Sequence, residues 1–166
     1  MDERAAYRYA LPMDYSRAAQ RLNSAMIATD NAWSDLDIWP EPGTSEMGAA
    51  HVLFSSILAV VGDDPVDFAS WSYLDGALVA TLWTSNLVAQ GSRDSDSAAL
   101  SVTFVPRATL TSIRVHTPPA LSLPGYGVHV GTHVVEAVYP EFSATFKTRS
   151  EETFISAVQS FRDDLL

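Results

Sequence analysis

The sequence predicts an α+β fold: two N-terminal helices, about seven antiparallel strands in a bent sheet or open barrel, and a C-terminal capping helix. Three observations carry this. Apolar residues recur at helical spacing in two stretches before residue 62. From Asp67 the pattern becomes period two and is rich in β-branched and aromatic residues. Phe154, Val158, Phe161 and Leu165 then return at intervals of four, three and four, the stripe of an amphipathic helix. Strands in a run followed by a helix indicate α+β architecture rather than alternating βαβ units. The order divides one domain, 1–166, into a helical part over 1–65 packed on a sheet-and-helix part over 66–166.

The first helix is expected over Asp14–Trp33, with Asp14 as N-cap and Leu22, Met26 and their neighbours forming the apolar face. Ser34 to Gly43 holds two prolines and three acids and reads as a loop. Thr44 or Ser45 caps a second helix running to about Val61. It is apolar nearly all round, so it is either buried on most sides or covered by a partner. Periodicity alone leaves a strand over Val52–Val61 open. Gly62-Asp63-Asp64-Pro65 ends the element.

Phe68–Leu74 and Ala77–Thr84 flank Asp75-Gly76, a strong two-residue hairpin signal. Thr84-Ser85-Asn86 turns the chain into Leu87–Gln90, and Gly91–Ser97 reads as a polar loop. Ala98–Val105 and Thr109–His116 surround Pro106-Arg107. A Pro/Gly loop over 117–127 precedes a last pair, Val128–Val138 and Phe142–Thr148. Ser150 serves as N-cap of the final helix, with Glu151 and Glu152 set against the positive end of its dipole.

Composition narrows the function classes. A 166-residue chain that is 47% apolar can bury a core without disulfides or a structural metal. The formal net charge is −10, with a single lysine, Lys147, and nine scattered arginines. Nucleic-acid binding, which relies on Lys and Arg neutralising phosphates, is not expected. An anionic membrane surface is not expected either, since no basic run exists. The longest nearly apolar run, Met47–Val61, is too short to span a bilayer. Without cysteine there is no disulfide, thiol nucleophile or thiolate metal site. Met1-Asp2-Glu3-Arg4 lacks the start of a signal peptide, and the expected location is the cytoplasm.

Several groups of residues bear on chemistry. His129 and His133 have the spacing that joins two ligands on a helix, but the intervening valines make the segment a strand. Four residues along a strand span roughly 13 Å, too far for one metal, although His116 remains a neighbour across the sheet. Gly125, Gly127 and Gly131 precede a strand, whereas a phosphate loop leads into a helix; they read as turn glycines. Asp63-Asp64, Asp94/Asp96 and Asp163-Asp164 are carboxylate pairs in loops or at helix ends, without the apolar setting that splits two pKa values. No Gly-x-Ser-x-Gly elbow occurs. No catalytic residue, cofactor-binding residue or metal ligand is therefore assigned. Trp71 and Trp83 fall within strands and are expected in the core. Trp33 and Trp39 bracket the acidic loop and are the candidate partner anchors, with a buried Trp39 over the second helix as the competing reading.

From Asp67 onward the chain resembles the pleckstrin-homology superfold, in which a seven-stranded, strongly bent sheet is closed at one corner by a C-terminal helix. The resemblance rests on strand order, on Val105-Pro106-Arg107 leading into Leu110–Val115, and on the terminal helix. An NTF2-like fold, or another fold with a helix on a curved sheet, stays open. Family members that bind phosphoinositides carry Lys and Arg in the loop joining their first two strands. The matching positions here are Leu74, Asp75, Gly76 and Ala77. The resemblance thus implies protein or peptide binding rather than inositol lipids. Three functions are consistent with the residues: a non-enzymatic binding module with a protein partner, self-association being possible; a ligand carrier or enzyme with a pocket in a curved sheet; and an acidic inhibitor of a basic partner.

Overall fold

The computed structural model describes residues 13–29, 33, 49–94, 99–117 and 132–166. Two helices, α1 (Met13–Thr29) and α2 (Ala49–Val61), precede the strands. They are followed by β1 (Val66–Leu74), β2 (Ala77–Thr84), β3 (Leu87–Asp94) and β4 (Leu100–Pro106). A 3-10 turn, Arg107–Thr109, leads into β5 (Ser112–Thr117), β6 (His133–Val138), β7 (Ser143–Thr148) and the closing helix α3 (Glu151–Asp164). The fold is α+β, with all strand pairs antiparallel. The strands form two sheets, ordered β1-β2-β3-β4 and β5-β6-β7, where the sequence left a single bent sheet or barrel open. The 3-10 turn separates β4 from β5, so the chain changes sheet there.

Local chemistry explains most boundaries. Asp75 (φ 51°) and Gly76 (φ 79°) both lie in the left-handed region, which fits the type I′ hairpin that matches strand twist. Thr84 Oγ1 accepts from the backbone N–H groups of Asn86 (3.3 Å) and Leu87 (3.1 Å), closing the second turn. Gly62 ends α2 at φ 66°, its N–H bonded to Leu58 O at 2.8 Å, an αL cap that a residue with Cβ resists. Ser150 Oγ accepts from Thr153 N–H at 3.2 Å, the expected N-cap of α3.

The expected second helix covers Val52–Val61, which removes the strand alternative. Other expectations shift. β5 starts at Ser112 rather than Thr109, because the 3-10 turn takes Arg107–Thr109. Leu165 is 39% and Ile155 41% exposed, so the buried face of α3 is Phe154, Ala157 and Phe161. β3 continues to Asp94 through the expected loop at Gly91. The cause is contact with α2: a Cβ on Gly91 would lie 2.6 Å from Leu53 Cδ1 and 2.8 Å from both Ile57 Cγ1 and Cδ1. The strand can run under the helix because position 91 has no side chain. Gly91→Ala should push α2 off the sheet and cost about 1–3 kcal/mol, read from the urea midpoint. An unchanged midpoint would show that the helix slides freely. Residues 30–32 and 34–48 lie outside the described residues, as do 95–98 and 118–131. The capping choices Thr44 and Ser45 and the start of the strand at Val128 fall among them.

Two hydrophobic clusters use the four-stranded sheet. One joins Leu22, Met26 and Trp33 to Leu53, Phe54, Ile57 and Leu58 of α2 over Leu78, Ala80, Leu82 and Ala89. The other sets Trp83 and Val88 against Val135, Ala137 and Phe146 of the second sheet, with Phe154, Ala157 and Phe161 of α3. The apolar second helix is thus mainly core on one side, while Ala59 and His51 remain exposed. No described helix is long and apolar enough to cross a membrane.

Candidate functional site

β1 and β7 are edge strands of different sheets, and they meet. Alternation on β7 turns Ala144, Phe146 and Thr148 inward and leaves Ser143, Thr145 and Lys147 exposed. On β1, the C-terminal half from Trp71 to Leu74 is partly or fully exposed. Between them runs a cleft of about 230 Å³, lined by Ser70, Trp71, Thr81, Gln90, Thr145, Lys147 and neighbours. A second cleft of about 320 Å³ adjoins it through Trp71, Ser72 and Lys147. It adds Thr29, Tyr73, Leu74, Thr132 and Arg149. A third, about 360 Å³, lies beyond Thr29 between the start of β1 and the start of α3.

The walls are held from both sides. Trp71 Nε1 donates to Met26 O at 3.2 Å, and Thr29 Oγ1 lies 2.9 Å from Ala69 O. The last turn of α1 is therefore fixed beside β1. Gln90 Nε2 donates to Thr81 Oγ1 (3.2 Å) and to Ser143 O (3.3 Å), tying the four-stranded sheet to β7 under the first cleft.

The charge of the groove differs from that of the chain. Lys147 and Arg149 carry no ion pair among the described residues. The paired arginines are committed elsewhere: Arg107 to Asp67 and Asp164, Arg114 to Glu136, and Arg162 to Asp163. Among the described residues, the first two clefts are lined by hydroxyls, one amide, two cations, Trp71, Tyr73, Val79 and Leu74, with no carboxylate and no histidine. Such a lining can hydrogen-bond, stack and neutralise an anion.

The residues singled out from sequence lie elsewhere. Trp33 is 0% exposed, stacked on Phe54 (5.4 Å, 17°), with Nε1 donating to Asn23 Oδ1 at 2.8 Å. Its indole is core and offers no surface to a partner. Trp39 lies outside the described residues, as do His129, Asp96 and the three turn glycines. Trp83 is fully buried as expected, whereas Trp71 is only partly buried and stands in the groove wall. His133 faces inward against Phe154 (5.2 Å), its Nδ1 without a hydrogen-bond partner. His116 faces outward beside Glu136 at 3.5 Å, so the two histidines are on opposite faces of the second sheet. No group of three or more metal-ligating side chains occurs among the described residues.

Among the described residues two titratable groups are perturbed, neither in the groove. Glu136 sits below its ordinary value; desolvation raises it, but the His116 hydrogen bond and the Arg114 charge outweigh that. Tyr139 is pushed up to about 12, chiefly by burial, with the Trp83 N–H that it accepts at 3.1 Å acting against the shift. Both read as structural.

Sequence reasoning missed Trp71, Lys147 and Arg149. The available signal was the alternation Ser143, Thr145, Lys147, which places the only lysine on a hydroxyl-rich face. Compared with known protein families and with curated proteins, the chain matches none.

Proposed function

We propose that this protein is a non-enzymatic peptide-binding module of the cytoplasm, which receives an extended segment in the groove between β1 and β7. The observation that carries this is the amphipathic, cationic lining of that groove in a chain of net charge −10. Trp71, Tyr73 and Leu74 supply apolar contact, and Lys147 and Arg149 supply charge for an acidic side chain of the ligand. The flanking strands are edges, so their backbone can pair with an added segment. The reading takes the strand run and closing helix as a pleckstrin-homology-like arrangement without a lipid site. Four plus three strands and α3 support it, and the Asp75-Gly76 hairpin carries no Lys or Arg.

The test is selection from a displayed library of random ten-residue peptides, followed by titration of the winners. Selected peptides should carry Asp or Glu next to an apolar residue and be recovered intact. Lys147→Glu with Arg149→Glu should weaken them at least tenfold without altering the circular dichroism spectrum. Selection of nothing, or of peptides indifferent to both substitutions, would reject the groove as a peptide site.

A further inference from the structure

We propose that the protein self-associates through β4, two copies joining their four-stranded sheets edge to edge about a two-fold axis at Val102. The inference is independent of the groove, which lies at the opposite edge of the sheet.

Among the described residues, β4 is the outermost strand of its sheet and pairs only with β3. Its sequence, Leu100-Ser101-Val102-Thr103-Phe104-Val105-Pro106, has no ionisable side chain. Each of the other three edge strands carries at least one: Asp67 on β1, Arg114 and His116 on β5, Lys147 on β7. Protein sheets ordinarily protect an edge with charge, proline or a bulge. Here Pro106 stands only at the strand's end, and the β3–β4 register runs without a shift. Leu100 is 40% and Phe104 55% exposed, on the same side as the partly buried Val102.

The hydrogen-bond phase of the hairpin makes this edge self-complementary. Asp94 N–H bonds to Ala99 O (3.0 Å) at one end, and Arg107 N–H bonds to Asn86 O (2.8 Å) at the other. Bonding toward β3 therefore falls on the odd-numbered residues of β4. In an antiparallel ladder the alternate residues point away. Leu100, Val102 and Phe104 thus turn their N–H and C=O groups outward, together with their apolar side chains on one face. A two-fold axis through Val102 pairs Val102 with its own copy and Leu100 with Phe104 of the second copy. All three outward residues find partners, and Pro106, which has no N–H to give, stays beyond the paired segment. Two chains of net charge −10 repel, and β4 is the edge at which their approach brings no charged side chain of either strand into contact.

A single strand pair is smaller than a standard interface of roughly 1,600 Å², so the association is expected in the micromolar range. Sedimentation of the whole chain from about 1 µM to about 500 µM should show monomer passing into dimer. Phe104→Lys should leave monomer throughout, with an unchanged melting temperature because the side chain is already half in water. The absence of cysteine permits a second measurement. In a hydrogen-bonded antiparallel pair the opposed Cα atoms lie about 5.5 Å apart, within disulfide reach. Val102→Cys should cross-link to a covalent dimer on mild oxidation, whereas Tyr73→Cys on the β1 edge should not. A monomer at every concentration would overturn the proposal. So would a dimer that survives Phe104→Lys, or one in which Val102→Cys fails to cross-link.

Discussion

Phe161→Ala is expected to lower the free energy of unfolding by about 3–5 kcal/mol, the usual cost of removing a buried Phe side chain. Phe161 is 0% exposed and lies where the second cluster converges. Its ring centroid is 5.5 Å from Trp83, 5.7 Å from Phe68 and 6.5 Å from Phe146. Those neighbours belong to three strands and are themselves packed, so the space left behind cannot collapse. Domains of this kind have about 5–15 kcal/mol in all, and the loss removes a large part of it. Urea unfolding followed by tryptophan emission measures it directly, because Trp83 reports on the same cluster. Deleting Ser150–Leu166 should leave insoluble protein. A loss below about 1 kcal/mol would make α3 an appendage and its apolar face a binding surface.

Arg107→Ala is expected to cost about 3 kcal/mol, the lower part of the range for breaking a buried charge pair. The residue is 4% exposed, and its guanidinium spans four groups. Nε donates to Asp164 Oδ2 at 2.5 Å, and Nη1 donates to Asp67 Oδ2 (2.9 Å) and Thr84 O (2.8 Å). Nη2 donates to Ser160 Oγ. Its Cζ lies 5.9 Å from the ring centres of both Phe68 and Phe161. Removing it strands the Thr84 carbonyl and an aspartate that is only 19% exposed. The Asp67 side chain, 41% exposed, regains water, which keeps the cost at the low end. Arg107→Lys should recover less than half of the loss, since one ammonium cannot reproduce a planar fork directed at several acceptors. Full recovery by Lys would mean that only the charge matters.

Local signals were enough for the elements. Asp75-Gly76, Ser150 and the spacing of Phe154 and Phe161 each fix a backbone conformation or a buried face within a few residues. Gly91 was misread because its meaning is non-local: a glycine after Gln90 looks like a turn until α2 is laid across it. The β1/β7 groove was illegible for the same reason. Trp71 and Lys147 are far apart in the chain and meet only through the junction of two sheets, for which no sequence period exists. The sequence did expose the acidic balance and the solitary lysine, but not that Lys147 lacks a counter-charge among the described residues. Trp33 was misplaced because its indole partner, Asn23, lies ten residues back on a helix face that alternation does not report.

The two clusters also differ in when they can close. Among the described residues, the first draws only on Leu22 to Val102. The second waits for Phe154, Ala157 and Phe161. A nascent chain therefore holds every described side chain of its first core while the reverse face of the same sheet, with Trp83 and Val88, is still uncovered. Emergence of the last helix is what shields that face, and Arg107, placed beforehand at the sheet's corner, is the latch that Ser160 and Asp164 arrive to engage.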